Sequence, residues 1–293
     1  MKYTIQNNEL TAQFNSLGGE MTSVKDKAGT EYVWVGDAQY WASQAPILFP
    51  IVGSIRDKKA IIGGDKSCIM ERHGVVRKLE FDVTETREDS ITFGVRSNDE
   101  TRERYPYDFK LFVKYTLKGK SLITEYTVVN ENRVVLPFQI GAHPGFNCPL
   151  YSGERFEDYV VEFEQAETAD CPASVPATGL VDMEDTTRLL NNEKALRMNH
   201  DLFRVDCIVF DKLKSRKAKL YNPTTGKGLE MSFADFDTVI VWSSKNDGPF
   251  VALEPWKGLS TCSDEGDIFE EKRGVTLLPA GESKSFTFTI SIL

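Results

Sequence analysis

Hydrophobic and polar positions alternate along many short segments of this chain, and Gly, Pro, Asn or Asp bounds most of them. The alternating segments are residues 3–5, 10–14, 32–35, 90–96, 110–117, 122–129, 239–242, 250–253 and 285–292. A period of two puts one row of side chains in a core and the other in water, which is typical of antiparallel sheets. Strands that recur at intervals of about 8–12 residues favour a sandwich or a barrel.

Helical patterns are few. Residues 37–43 are predicted to form one or two turns, and residues 193–203 are the best candidate for a short helix. Residues 166–178, rich in Ala, Pro and Thr, are predicted to form a long surface loop. No linker or repeat divides the chain, so we predict that residues 1–293 form one large all-β domain, an antiparallel β-sandwich.

The composition argues against several functional classes. The chain has 35 Lys and Arg against 44 Asp and Glu, a net charge of −9, which favours neither nucleic-acid nor membrane partners. Five scattered cysteines without a C-x-x-C pair argue against a disulfide framework or a zinc site. No apolar segment resembles a signal peptide, so a cytoplasmic location is expected. Residues 225–228 lack the spacing of a phosphate-binding loop and are predicted to form a turn.

Two reactive side chains lie at the ends of predicted strands. His143 follows the apolar residues 138–142 and precedes Pro-Gly, which places its imidazole at a sheet rim or leaves it as a hydrogen-bonded turn residue. Glu254 ends an apolar segment just before Pro255, where we expect strand pairing to stop. An unpaired carboxylate is costly to bury, so Glu254 is either in an ion pair or in a site. Trp256 can wall a pocket or stack on a sugar ring.

Three further polar residues have less specific surroundings. His73 lies beside Gly74 and between two arginines, where a surface or capping role is the plain alternative. Asp206 begins an apolar segment and is either a charge that protects a strand edge or a pocket residue. His200, in a polar stretch, receives no role.

Taken in chain order, these motifs resemble the aldose 1-epimerase (galactose mutarotase) family, and in particular its bacterial mutarotase-related branch. The matching pieces are residues 45–53, Arg72-His73-Gly74, residues 141–146, Asp206 and residues 253–256. The resemblance covers the chain from about residue 3 to its end. It implies a large antiparallel β-sandwich with a sugar cleft on a concave sheet, and neither a metal nor an organic cofactor.

The resemblance also implies roles for individual residues. These are Glu254 as general base, His143 as general acid, His73 as a second histidine near the sugar ring, Asp206 as a ligand of sugar hydroxyls, and Arg56 or Arg77 as a basic substrate-binding residue. Ser54 stands where the family commonly has a basic side chain, which leaves the choice of arginine open. A cationic His143 beside Glu254 is expected to keep that carboxylate ionised.

The function implied is an isomerase that interconverts the α and β anomers of a free aldohexose of the galactose or glucose type. The partner is then a small sugar, and the protein a monomer or a homodimer. A hexose-6-phosphate 1-epimerase, with Arg56, Arg72 and Arg77 as the basic residues, is the first alternative. A non-catalytic carbohydrate-binding protein is the second. A glycosidase is disfavoured because it needs two suitably spaced carboxylates, and only Glu254 is a firm candidate.

Overall fold

The computed structural model describes residues 1–293 and consists mainly of strands joined by turns. The strands, in chain order, are β1 (Lys2–Gln6), β2 (Leu10–Asn15), β3 (Met21–Asp26), β4 (Ile47–Leu48), β5 (Lys59–Ile62), β6 (Lys66–Ile69), β7 (Asp82–Thr86), β8 (Ser90–Arg96), β9 (Phe109–Lys118), β10 (Ser121–Asn130), β11 (Leu136–Phe138), β12 (Ile140–Ala142), β13 (Gly145–Asn147), β14 (Val160–Val175), β15 (Leu180–Arg197), β16 (Ile208–Phe210), β17 (Lys217–Asn222), β18 (Lys227–Ser232), β19 (Thr238–Trp242), β20 (Phe250–Lys257), β21 (Thr276–Leu278) and β22 (Ser283–Ile292). The α-helix α1 spans Asp99–Arg104, and 3₁₀ turns lie at Arg56–Lys58, Val76–Lys78, Phe156–Asp158, His200–Phe203 and Phe269–Glu271.

Two large antiparallel sheets form the β-sandwich that the sequence predicts. The first has nine strands in the order β15-β14-β17-β18-β22-β10-β9-β8-β7. The second has six, in the order β16-β19-β20-β12-β4, with β13 also paired to β20. Phe163 on the nine-stranded sheet meets Phe210 on the six-stranded sheet with ring centroids 5.0 Å apart. One core of 66 buried residues, from Ile5 to Ile292, fills the space between the layers.

The alternating segments became strands because each has one apolar face to bury. In β9 and β10, buried positions alternate with partly exposed ones, and the strands pair from Lys118↔Ser121 to Phe109↔Asn130. Gly119 in the connecting turn has a positive φ of 56°, which a glycine adopts at little cost. The predicted strands at 3–5, 10–14, 90–96, 110–117, 122–129, 239–242, 250–253 and 285–292 are confirmed. The turn predicted at 225–228 is confirmed in part, since residues 223–226 join β17 to β18 while residues 227 and 228 already belong to β18.

Two predictions about the middle of the chain were wrong. Residues 166–178, predicted as a loop, mostly continue β14, and residues 193–197 of the predicted helix belong to β15. Beyond the core these two strands form a twisted ribbon with register shifts, and many of its side chains are exposed on both faces. The sequence of such a ribbon does not alternate between hydrophobic and polar residues, because neither face packs continuously on a core. Only His200–Phe203 forms a helical turn here.

Two shorter segments also differ from prediction. Residues 32–35 form no strand, although Val33 makes an isolated bridge to Phe146. Residues 37–43 form turns rather than a helix. Trp34 and Trp41 lie in this stretch, and the indole N–H of Trp34 donates to the carbonyl of Trp41. Aromatic packing therefore orders the segment without regular pairing. The structure has no helix long and apolar enough to cross a membrane.

Candidate active site

A cleft of about 260 Å³ on the six-stranded sheet gathers side chains from distant parts of the chain. Among the residues that line it are His73, Arg77, His143, Asp206, Glu254 and Trp256. The structure therefore brings together six of the seven residues that the sequence analysis proposes for the site. The seventh, Arg56, lies elsewhere.

Glu254 projects into the cleft from β20, a strand inside the six-stranded sheet. It pairs with Ile240 of β19, and its side chain is almost completely buried. Leu253, on the opposite face, belongs to the main core, while Trp256 lines the cleft like Glu254. The period of two along β20 thus sends apolar side chains inward and presents the carboxyl group to the cleft.

The expectation that Pro255 ends strand pairing was wrong. β20 continues to Lys257, and Pro255 pairs with Val239 of β19. On the other side of β20, β13 pairs only as far as Ala252 and β12 begins again at Trp256. Glu254 and Pro255 therefore face a gap between two short strands, where a proline without an N–H interrupts no ladder.

That gap is where His143 lies, in the short turn between β12 and β13. Both strands pair with β20, so the turn holds the imidazole directly beside Glu254. The Trp41 ring stacks on His143, with centroids 4.7 Å apart and planes 27° apart. A Cβ on Gly145 would approach Trp41 to 2.8 Å, so this close packing requires a glycine at that position. The predicted position of His143 at a strand end is confirmed.

His143 Nε2 lies 3.3 Å from Glu254 Oε1. His143 Nδ1 and Glu254 Oε2 are both buried and have no hydrogen-bond partner within the protein. Buried polar atoms are paired in the great majority of cases, so two unpaired ones on a single contact are unusual. They offer one acceptor or donor position each to a polar ligand in the cleft.

Burial controls the protonation of this pair. It raises the pKa of Glu254 well above its ordinary value of 4.5, and it lowers the pKa of His143 to about 3. Both shifts have the same cause, since removal from water disfavours the charged form of either group. Burial therefore keeps the imidazole of His143 uncharged at neutral pH and shifts Glu254 toward its protonated form. This reverses the expected arrangement of an ionised Glu254 beside a cationic His143.

His73 lies beside His143 and Trp256 in a constrained backbone conformation. Its φ is +71°, and its backbone N–H donates to the carbonyl of Gly53 at 2.7 Å. Its Nδ1 accepts the backbone N–H of Gly53 at 3.2 Å, so the neutral ring carries its proton on Nε2. Burial, with smaller contributions from neighbouring cations, lowers the pKa of His73 well below its usual value. The ring centroid lies 5.5 Å from that of His143.

Charged groups of both signs complete the rim. Asp206 accepts a hydrogen bond of 2.9 Å from Ser174 Oγ, and both residues line the cleft. Arg72 donates through Nε to Ser54 Oγ at 3.2 Å. Arg77 lies in the 3₁₀ turn Val76–Lys78. Arg72 and Arg77 line the cleft without forming a salt bridge to any carboxylate.

Arg56 does not line the cleft. Its Nη1 forms a salt bridge of 2.7 Å to Asp267, and its Nη2 donates to the carbonyls of Cys262 and Glu265. These partners lie in a loop that follows β20, and they engage both terminal nitrogens of the guanidinium. Arg72 is the arginine whose side chain reaches Ser54, the position at which the family commonly has a basic residue. The sequence analysis proposed Arg56 because it is close to Gly53 in the chain. Closeness in the chain does not show which side chain points into the cleft.

The sequence analysis missed two aromatic walls, Trp41 and Trp242. Trp242 ends β19 and packs edge-on against both Trp41 and His143, with centroid distances of 5.3 and 5.4 Å. Its place at the end of an apolar strand was a signal that could have identified it. Trp41 carried no such signal, because the segment around it has no regular structure.

Comparison with known proteins places this chain in a family. The family model described as aldose 1-epimerase matches residues 1–291. The chain belongs to the aldose 1-epimerase family. It is also 48% identical over 299 residues to the plasmid-encoded protein LacX of Lactococcus lactis subsp. lactis, and the match covers all of both chains.

Two solved structures of this family type are similar along the whole chain. A galactose mutarotase related enzyme from Lactobacillus acidophilus matches with a TM-score of 0.94 and 28% identity, over 100% of this chain and 97% of that one. A galactose mutarotase-like protein from Lactobacillus casei matches with a TM-score of 0.91 and 29% identity, over 100% of both. The fold expected from the sequence motifs is thereby confirmed.

Proposed function

We propose that this member of the family is an active aldose 1-epimerase that interconverts the α and β anomers of a free aldohexose of the galactose or glucose type. The observation that carries the proposal is the buried contact of 3.3 Å between His143 Nε2 and Glu254 Oε1. Opening and closing a sugar ring requires one group that donates a proton and one that accepts a proton. His143 and Glu254 can fill these two roles, and further polar groups in the cleft can bind the sugar.

The short distance suits this reaction in particular. Ring opening takes a proton from the hydroxyl on C1 and gives one to the ring oxygen, and both oxygens are bonded to the same carbon. The acid and the base must therefore be direct neighbours. A glycosidase instead uses two carboxyl groups about 5–9.5 Å apart, so a contact between an imidazole and a carboxyl group favours anomer exchange over glycoside hydrolysis.

The proposed steps conserve the single proton of the pair. When sugar binds, the proton moves from Glu254 to His143, which forms a carboxylate and an imidazolium. Glu254 then takes the proton of the C1 hydroxyl while His143 protonates the ring oxygen, the C1–O5 bond breaks, and C1 becomes an aldehyde. Rotation about C1–C2 turns the other face of the aldehyde to the oxygen. Ring closure with the roles reversed gives the second anomer.

Burial favours one stage of this sequence. After ring opening Glu254 is protonated and His143 is neutral, which is the state that the buried site prefers. The site therefore stabilises the protonation state of the open-chain intermediate relative to the charged pair that precedes it. The resting site has the same protonation state, so burial alone does not lower the barrier from that state, and contacts with the bound sugar have to offset the cost of forming the charged pair.

The remaining groups around the cleft are assigned to binding. The Nε2–H of His73 is a donor to a sugar oxygen, and the carboxylate of Asp206 is an acceptor for sugar hydroxyls. Trp256 supplies an apolar wall for one face of the ring, as aromatic side chains do in sugar sites. These assignments follow from the hydrogen-bonding capacity of each group and from its place on the wall.

Anomer exchange measured by NMR on galactose and glucose tests the proposal. Glu254→Gln keeps the shape of the side chain but removes the proton acceptor, so we expect the rate to fall by about 10²–10⁴-fold. Sugar binding, measured by calorimetry, should persist. Glu184→Gln, at an exposed glutamate that does not line the cleft, is the matched control and should exchange at the wild-type rate.

Wild-type turnover by Glu254→Gln would show that this residue is not the base. Sugar binding without any acceleration by the wild-type protein would instead favour the non-catalytic carbohydrate-binding alternative.

A hexose-6-phosphate is the second candidate substrate, because Arg72 and Arg77 face the cleft without carboxylate partners. A guanidinium in this state is well suited to bind a phosphate. If the phosphosugar is the substrate, 6-phosphorylated hexoses will be converted faster than free hexoses, and Arg77→Gln will remove most of that preference. If Arg77→Gln lowers the rate equally for free and phosphorylated sugars, Arg77 binds a sugar hydroxyl and not the phosphate.

A further inference from the structure

The indole ring of Trp41 stacks on the imidazole of His143, and the steps proposed above give Trp41 no role. The two ring planes are 27° apart, and their centroids are 4.7 Å apart. Two other rings contact His143, those of Trp242 and His73, but both are nearly perpendicular to it, at 84° and 86°. Trp41 is therefore the neighbour that presents an aromatic face to the plane of the imidazole.

Contacts on its own side of the cleft hold the Trp41 ring in this place. The backbone N–H of Trp41 donates to the carbonyl of Asp37 at 2.9 Å, and the carbonyl of Trp41 accepts the indole N–H of Trp34. The Phe250 ring also lies nearly parallel to the Trp41 ring, with planes 24° apart and centroids 5.5 Å apart. The position of the indole therefore does not depend on His143 alone.

This geometry favours a charged imidazole over a neutral one. The face of an indole carries negative charge density, so it attracts a cation that lies within about 6 Å of its centroid, most strongly where water is excluded. His143 is 8% exposed and Glu254 is 1% exposed, so little water competes at this contact. The indole therefore stabilises an imidazolium more than it stabilises the uncharged ring.

The charged residues near His143 differ in their effect on a positive charge there. An ionised Glu254 favours the charge, since its Oε1 lies 3.3 Å from Nε2, whereas Arg72 and Arg77 line the same cleft and disfavour it by repulsion. Removal from water also disfavours the charge. Trp41 adds an attraction that grows when His143 gains a proton, and it adds no charge to the cleft.

We propose that Trp41 is a positioning residue of the reaction, which stabilises the imidazolium of His143 through the face of its indole ring. The inference rests on the proposed function, because the imidazolium forms when the proton of Glu254 moves to His143 before ring opening. An interaction that is stronger in the charged state lowers the cost that the bound sugar has to offset. Its loss should therefore lower kcat and leave KM for the sugar nearly unchanged.

Fluorinated tryptophans at position 41 of the full chain test this electrostatic role. Each fluorine withdraws negative charge from the face of the ring and changes its shape very little. With one to four fluorines on Trp41, we expect kcat for anomer exchange to fall about twofold per fluorine, or roughly fifteenfold over the series. The same series at Trp34, a buried tryptophan that neither lines the cleft nor stacks on His143, is the matched control and should leave kcat unchanged.

Two ordinary substitutions give an independent measurement. Trp41→Phe keeps an aromatic face with a weaker attraction for cations, whereas Trp41→Leu keeps only apolar volume. We expect Trp41→Leu to lower kcat about tenfold or more, and Trp41→Phe to lower it by less. Circular dichroism of both variants checks that the fold is retained.

Several results would overturn the inference and leave the proposed function in place. If kcat is constant across the fluorinated series, the indole acts through its shape alone. If KM rises while kcat is constant, Trp41 is a wall for the sugar. If the series at Trp34 lowers kcat as much as the series at Trp41, fluorine acts by disturbing the packing. A wild-type protein that exchanges no sugar would refute the proposed function, and the role of Trp41 with it.

Discussion

Burial at one contact divides a single proton between Glu254 and His143. In water a glutamate releases its proton about two pH units below the point at which a histidine does, so the two would form an ion pair between those values. In the cleft, desolvation shifts both pKa values toward the uncharged forms. The residues next to Glu254 in the sequence indicated that it would be costly to bury, but the extent of desolvation depends on distant segments such as Trp41 and His73.

The pH dependence of kcat/KM follows from these shifts. The pair must hold one proton to work, and it gains a second only when His143 is protonated, at a pKa of about 3. It loses its proton only above the raised pKa of Glu254. We therefore expect the free enzyme to keep about nine tenths of its maximal kcat/KM at pH 4, whereas a glutamate that had to be ionised at its ordinary pKa of 4.5 would leave about a quarter.

The measurement is a pH profile of anomer exchange at low sugar concentration, with circular dichroism at each pH to confirm that the protein is folded. A decline centred near pH 4.5 in folded protein would mean that Glu254 is ionised in the resting site.

At the scale of elements, the sequence predicts some of the strands that form the cleft and fails to predict others. β20 and β19 were predictable because their inner faces belong to the core, and Glu254 and Trp242 come at or just after the ends of the apolar segments that predict these strands. The hairpin of β14 and β15 was predicted only as a loop and a helix, yet its tip supplies Ser174 and Gly179 to the cleft. Its register depends on pairing between the two strands alone, and no hydrophobic pattern reports that.

Gly179 at this tip tests the contribution of the hairpin. Its φ is +71°, and an added Cβ would lie 2.2 Å from Arg72 Nη2. Gly179→Ala should therefore displace the guanidinium and raise KM for sugar on the order of tenfold. It should also cost roughly 1–2 kcal/mol of stability, the price of a left-handed backbone for an L-residue.

Gly226→Ala is the matched control, because Gly226 has a φ of +70° and an added Cβ there meets nothing within 4 Å. Steady-state kinetics and thermal unfolding of both variants separate the two effects. We expect the same loss of stability in both, with KM changed only in Gly179→Ala. The same KM in both variants would show that contact with Arg72 does not matter for binding.

At the scale of the whole molecule, one core connects elements that are far apart in the chain. The three-stranded sheet of β1–β3 packs on the nine-stranded sheet through Phe14, whose ring lies 4.4 Å from Tyr115. All four tryptophans, in contrast, lie in or beside the cleft. A sequence without linkers predicted one domain, and the shared core of 66 residues is the physical basis for expecting the two regions to unfold together.

Phe14→Ala tests that expectation, because Phe14 is fully buried and distant in the chain from the cleft. The lost packing should cost about 3–5 kcal/mol, which corresponds to a fall of roughly 10 °C in the unfolding midpoint for a domain of this size. Far-ultraviolet circular dichroism reports on all strands, and tryptophan fluorescence reports on the cleft. In one cooperative unit both midpoints fall by the same amount, while Leu17→Ala, at a half-exposed neighbour, moves neither. A fluorescence midpoint that stays at the wild-type value while the circular dichroism midpoint falls would divide the chain into two units, because loss of packing at β1–β3 would then leave the cleft intact.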